Sequence, residues 1–101
     1  MWLFVMFDLP VETKIDRKRY TQFRKMLLKD GFAMMQFSVY VRHCASEENA
    51  DVHAKRVDGH VPPDGEVRVL RVTDKQYERM EVFWGKKRQP PEKPAAQLEL
   101  F

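Results

Sequence analysis

Cysteine is almost absent. Cys44 stands alone in 101 residues, so no internal disulfide can form and the chain suits a reducing cytoplasm. Long apolar runs are missing too: nothing approaches the roughly 20 residues that span a bilayer, which excludes a membrane helix. The apolar stretch at residues 2–7 has neither a basic leader nor a small-residue cleavage site, so it does not read as a signal peptide. Glycine is scarce, with only 4 residues and no two within five positions of each other, so no glycine-rich loop is available to cradle a phosphate. His43, Cys44, His53 and His60 show no ligand-pair spacing of the structural zinc type, and a zinc centre is rejected. No Ser-His-Asp order is suggested. An excess of one charge is also nearly missing: 18 Lys and Arg against 15 Asp and Glu leave a formal charge of +3. Such a balance permits nucleic-acid binding through local clusters without requiring it.

What is present describes a small globular domain. With 44% hydrophobic and 33% charged residues, the chain can bury one modest core between two layers and no second one. Residues 2–7 are apolar without alternation, the pattern of a central strand covered on both faces. Asp8, Leu9 and Pro10 end it. Thr13 followed by Asp16 resembles a capping box, and Tyr20, Phe23 and Leu27 then share one helical face until Gly31 stops the helix. Residues 32–43 are strand-prone, with Phe37, Val39 and Val41 facing one way and Gln36, Ser38, Tyr40 and Arg42 the other. They form either one bent strand or two tightly joined ones, because no glycine or proline marks a turn. Ser46, Glu47 and Glu48 open a second helix with Ala50, Ala54, Val57 and Val61 inward. A strand at residues 67–72, a short turn at Thr73 and Asp74, and a last strand through Met80, Val82 and Trp84 follow. This order predicts an α+β, ferredoxin-like βαββαβ sandwich with an extra C-terminal strand, occupying residues 1–85. Residues 86–101 read as a basic, proline-rich tail.

Asp8 is the sharpest chemical candidate. An acid just after a central strand sits at the sheet end, where it either ligates Mg²⁺ or simply terminates the strand. Since Mg²⁺ takes one or two carboxylates plus substrate phosphates, a two-fold dimer bringing two copies of Asp8 together would complete such a site. Arg17, Lys18, Arg19, Arg24, Lys25 and Lys29 make the first helix basic on its outer face, suited to phosphates or merely to water. Together with Arg42, Lys55, Arg56 and the cluster Lys86, Lys87 and Arg88, they favour a phosphate-binding surface. Phe37 and Tyr40 read as core and interface residues, because the glycine-containing signature of an RNA-recognition motif is absent. In the tail, Leu98 and Leu100 alternate with Glu99 ahead of Phe101, a pattern that suits a strand docking on a partner's sheet edge.

The opening Trp2-Leu3-Phe4-Val5-Met6-Phe7-Asp8-Leu9-Pro10 resembles the start of the CRISPR-associated protein 2 family, and Gly31-Phe32 leading to Gln36-Phe37-Ser38-Val39-Tyr40 resembles its Q-x-S-V-aromatic signature. The resemblance covers residues 1–85. The segment 44–59 and the ending through residues 84–88 look like the branch that accompanies the large single-effector CRISPR nucleases. The resemblance implies a ferredoxin-like homodimer that joins CRISPR-associated protein 1, the integrase, and holds duplex DNA for the repeat array. It also implies an alternative: a metal-dependent endonuclease on RNA or DNA, with Asp8 binding Mg²⁺ and Arg17, Arg19 and Tyr40 as associated catalytic residues. One acid per chain is thin equipment for hydrolysis, so the bridging role is the expectation.

Overall fold

The structure, a computed structural model, describes residues 1–86. Lys87, Arg88, Leu98, Leu100 and Phe101, with the docking strand expected there, lie outside the described residues.

Strand β1 (Trp2–Asp8) is central, pairing antiparallel with β3 (Val39–His43) on one side and β4 (Glu66–Val72) on the other. With β2 (Ala33–Gln36) beyond β3, the sheet order is β2-β3-β1-β4. Side chains alternate across a sheet, so the register sorts its two faces. Leu3, Val5 and Phe7 share theirs with Tyr40 and are buried, while Trp2, Phe4, Met6 and Asp8 point the other way.

Two helices cover the first face. Helix α1 (Lys14–Lys29) begins in the anticipated capping box: Asp16 N donates to Thr13 Oγ1 and Thr13 N to Asp16 Oδ2, both at 3.1 Å. It ends in a Schellman closure, with Phe32 N donating to Leu27 O and Gly31 N to Leu28 O, and Gly31 at φ 88°. Phe23 and Leu27 bury against Phe7, the two phenyl rings meeting edge to face at 5.1 Å. Helix α2 (Glu47–Asp58), capped by Ser46, contributes Ala50 and Val57 to the same core. His53 is also turned inward, 5% exposed, where the expected apolar stripe had not placed it. Val61, expected on that stripe, lies beyond the helix and is exposed.

His53 is buried because it has a partner. Its Nδ1–H donates to Asp30 Oδ2 (2.7 Å), Arg56 donates to Asp30 Oδ1 (2.7 Å), and Arg42 Nε donates to the Asp30 carbonyl (2.8 Å). The C-terminal cap of α1 is thereby tied to α2 and β3.

The open question at residues 32–43 resolves into two strands. Ser38 adopts φ 61°, so a serine fills the left-handed position expected of glycine, and Phe37 and Ser38 form a tight turn. Pairing with Val5 turns Tyr40 into the core, as its reading among the core and interface residues expected, while Phe37, read the same way, leaves the strand altogether and is 69% exposed.

The other sheet face is only partly covered. Short helix α3 (Asp74–Glu78) lays Tyr77 flat on Trp2, ring centroids 3.9 Å apart, and Asp74 accepts from the Met1 amino group at 2.6 Å. The expected extra strand at residues 80–84 is not formed: residues 80–85 carry no ladder, and Met80, Val82, Phe83 and Trp84 are exposed. A strand requires a paired edge, and none of the four strands among the described residues pairs with this segment.

Gly65 enters β4 at φ 97°, and a Cβ there would lie 2.7 Å from the Asp8 carbonyl oxygen. Gly65→Ala is expected to cost about 1–3 kcal/mol through backbone strain and this clash, read as a lower urea midpoint at unchanged m-value.

Candidate nucleic-acid interface

Asp8 ends β1 on the sheet face away from the helices, exposed, with no side-chain hydrogen bond or ion pair among the described residues. Its ladder partner is Glu66, and neighbours across an antiparallel pair lie close enough to interact. A cleft of about 300 Å³ opens here, lined by Met6, Phe7, Asp8, Phe37, Ser38, Val39, Glu66 and Arg68. Arg68 Nε donates to Glu66 Oε1 at 2.7 Å, so one carboxylate is paired within the chain and the other is available. The cleft wall at residues 37–38 is fastened from two sides: Phe7 N donates to Ser38 O (3.1 Å), and Tyr20 Oη and Ser38 Oγ share a hydrogen bond (3.2 Å).

The cations of α1 lie on the opposite side of the molecule, across the sheet. Lys14, Lys18 and Lys25 follow one another at near-whole turns and are exposed, with Lys29 continuing the line. None of these four, nor Arg24, has an ion-pair partner among the described residues. Arg17 and Arg19 are differently placed. Arg17 donates to the carbonyls of Val11 (3.3 Å) and Glu12 (3.0 Å), and Arg19 lies 3.8 Å from Asp64. Arg42 is half-buried and spent on carbonyls, Asp30 O at 2.8 Å and His43 O at 2.6 Å.

A family profile described as CRISPR associated protein Cas2 matches residues 1–80. The chain belongs to the Cas2 family. It is similar to the CRISPR-associated endoribonuclease Cas2 of Parvibaculum lavamentivorans, 58% identical over 101 residues and covering 100% of both chains. The protein of the same name from Flavobacterium psychrophilum is 54% identical over 101 residues, covering 100% of this chain and 88% of that one. The crystal structure of Streptococcus pyogenes Cas2 at pH 6.5 superposes with a TM-score of 0.62 at 22% identity, over 83% of this chain and 100% of that one, a likeness of fold.

Within this Cas2 fold the family-like segments converge on one spot. The opening strand supplies Asp8, and the Gln36–Tyr40 signature is the β2–β3 turn that closes beside it. The residues that the resemblance grouped with Asp8 are not brought to it: Arg17, Arg19 and Tyr40 do not line the cleft. Tyr40 is 1% exposed, its ring 5.7 Å from that of Phe7 in the core. Glu66 and Arg68, which do line the cleft, escaped the sequence reading. Their signal was alternation along β4, useful only once the β1–β4 register is known. Lys86 is exposed at the edge of the described residues. Among those residues, no group of three or more His, Cys, Asp and Glu is arranged to hold a metal, and no helix is long and apolar enough to cross a membrane.

Proposed function

We propose that this chain is a structural bridge in CRISPR adaptation, working in the cytoplasm alongside a single-effector system: a homodimer that holds DNA for insertion into the array and presents it to CRISPR-associated protein 1, the integrase. The observation that carries this reading is the α1 stripe of Lys14, Lys18, Lys25 and Lys29, exposed and without ion pairs among the described residues. Unpaired cations spaced along one face suit a run of phosphates, and such contacts hold DNA without reading its sequence. Dimerisation is supported by apolar side chains left exposed, Leu70 on β4 and Met80, Val82, Phe83 and Trp84 after α3. Light scattering at micromolar concentration is expected to give twice the chain mass; a monomer mass would overturn the dimer. The basic tail is read as the integrase-docking element, so deleting residues 97–101 should weaken integrase binding while leaving dimer mass and melting unchanged.

A second reading, an endonuclease, is favoured by the unpaired Asp8 carboxylate beside Glu66, and the relatives in Parvibaculum and Flavobacterium carry an endoribonuclease name. The donor set fits Mg²⁺, which takes one or two carboxylates and fills its shell with water and phosphate oxygens. Asp8, with Glu66 or with a second copy of Asp8, would hold the ion, which when bound supplies Lewis-acid polarisation of a phosphate and an activated water.

Asp8→Ala separates the two. Bridging predicts that the variant still captures duplex DNA and still binds the integrase in a pull-down, both within about twofold of wild type. Loss of spacer integration by a folded, dimeric variant would replace the bridge with the metal-dependent reading.

A further inference from the structure

Phe37 is the least expected surface residue of the Asp8 cleft. Its ring is 69% exposed, although it is held: it stacks on Tyr20 at 6.2 Å with the planes 23° apart. The turn that carries it is pinned by the Ser38 hydrogen bonds to Phe7 and Tyr20 described above. A single exposed phenylalanine is ordinary on a protein surface. This one is fixed in orientation and borders a cleft that also holds the Arg68 guanidinium. A ring fixed in advance loses little freedom on binding, which favours its use as a contact surface.

Resting on the nucleic-acid reading of this chain, we propose that Phe37 is a stacking platform for one unpaired base of a nucleic-acid strand, with Arg68 beside it on the strand's phosphate. Bases stack on aromatic faces regardless of identity, so the contact is tolerant of sequence but demands that the base be unpaired. It is therefore a different contact from the α1 stripe, which suits duplex backbone and lies across the sheet. Arg68 is exposed and, among the described residues, paired only with the exposed Glu66, so it can exchange that partner for a phosphate at modest cost.

The experiment titrates full-length wild type, Phe37→Leu, Phe37→Ala and Phe37→Trp with a single-stranded DNA 10-mer carrying 2-aminopurine, its RNA equivalent, and the matching DNA duplex. Stacking predicts that Leu and Ala each weaken single-strand binding by about tenfold and abolish the 2-aminopurine quenching, while Trp retains both. Duplex affinity stays within twofold throughout. The DNA and RNA arms show which strand the platform accepts. Leucine binding single strands like wild type overturns the proposal, as does wild type binding no single strand, or an equal loss on single strand and duplex. A change of light-scattering mass in Phe37→Leu also overturns it, assigning the ring to an interface between copies. If wild type fails to bind the duplex, the bridging reading falls instead, whatever the single-strand result.

Discussion

Neutralising Lys14, Lys18 and Lys25 together to glutamine is expected to weaken duplex DNA binding by several hundredfold at 0.1 M salt. Each phosphate contact releases about 0.9 of a counterion, worth roughly eightfold at that salt, and three such factors multiply. The slope of log affinity against log salt should become shallower by about 2.7. The three side chains are exposed and without ion pairs among the described residues, so their loss removes charge and little structure. Arg17 and Arg19 make the contrast. Arg17 holds the carbonyls of Val11 and Glu12, and Arg19 lies 3.8 Å from Asp64. Glutamine at either should change the slope less, loosening the approach to α1 at Arg17 and the loop before β4 at Arg19. An unchanged slope in the triple variant would move the DNA off α1 altogether, with the basic residues 86–88 the next surface to test.

Asp30→Asn is expected to lower the melting temperature by about 10–20 °C. This carboxylate accepts from His53 and from Arg56, each at 2.7 Å, and hydrogen bonds to a charged group contribute about 1.5–3 kcal/mol each. Even a 2–3 kcal/mol loss shifts a domain of this size by that much. An acid profile adds a check. Burial opposes ionisation of Asp30, but hydrogen bonds and attraction from His53 and Arg56 outweigh it, leaving the folded pKa below the ordinary 3.8. A depressed folded pKa means that the stabilisation is present above the unfolded value and is lost as pH falls through the folded one. Wild type and Asp30→Asn should therefore differ most above about pH 4 and converge at lower pH. Parallel curves would show that the charge contributes nothing. Arg42→Ala should also lower the melting temperature, because its guanidinium closes on the Asp30 carbonyl.

Local signals were legible in the sequence where they were self-contained. Thr13 and Asp16 carry both halves of the α1 cap, Gly31 carries its stop, and the unbroken apolar run of β1 names the central strand. Signals that depend on a distant partner were not. His53 reads as a polar interruption of an apolar stripe until Asp30 is folded against it. Ser38 gives no sign of a left-handed turn, because serine seldom takes that conformation; Tyr40, read with Phe37 as core and interface residues, does lie in the core, whereas the turn carries Phe37 out to the surface. Glu66 and Arg68 become neighbours of Asp8 only through the register of β4 against β1. The strand anticipated at residues 80–84 has the right alternation, but a pattern alone supplies no hydrogen-bonding edge.

The close approach of Gly65 to the Asp8 carbonyl has a bearing on how mutations in this chain are interpreted. In a saturation screen scored by retained function, position 65 should tolerate almost no replacement and would rank beside any essential acid. Its side chain is a hydrogen atom, and its intolerance would record only the room left for a neighbour's backbone. Pairing each such score with a measure of folded protein in the cell would separate it from a residue needed only for activity, whose replacement would leave abundance intact.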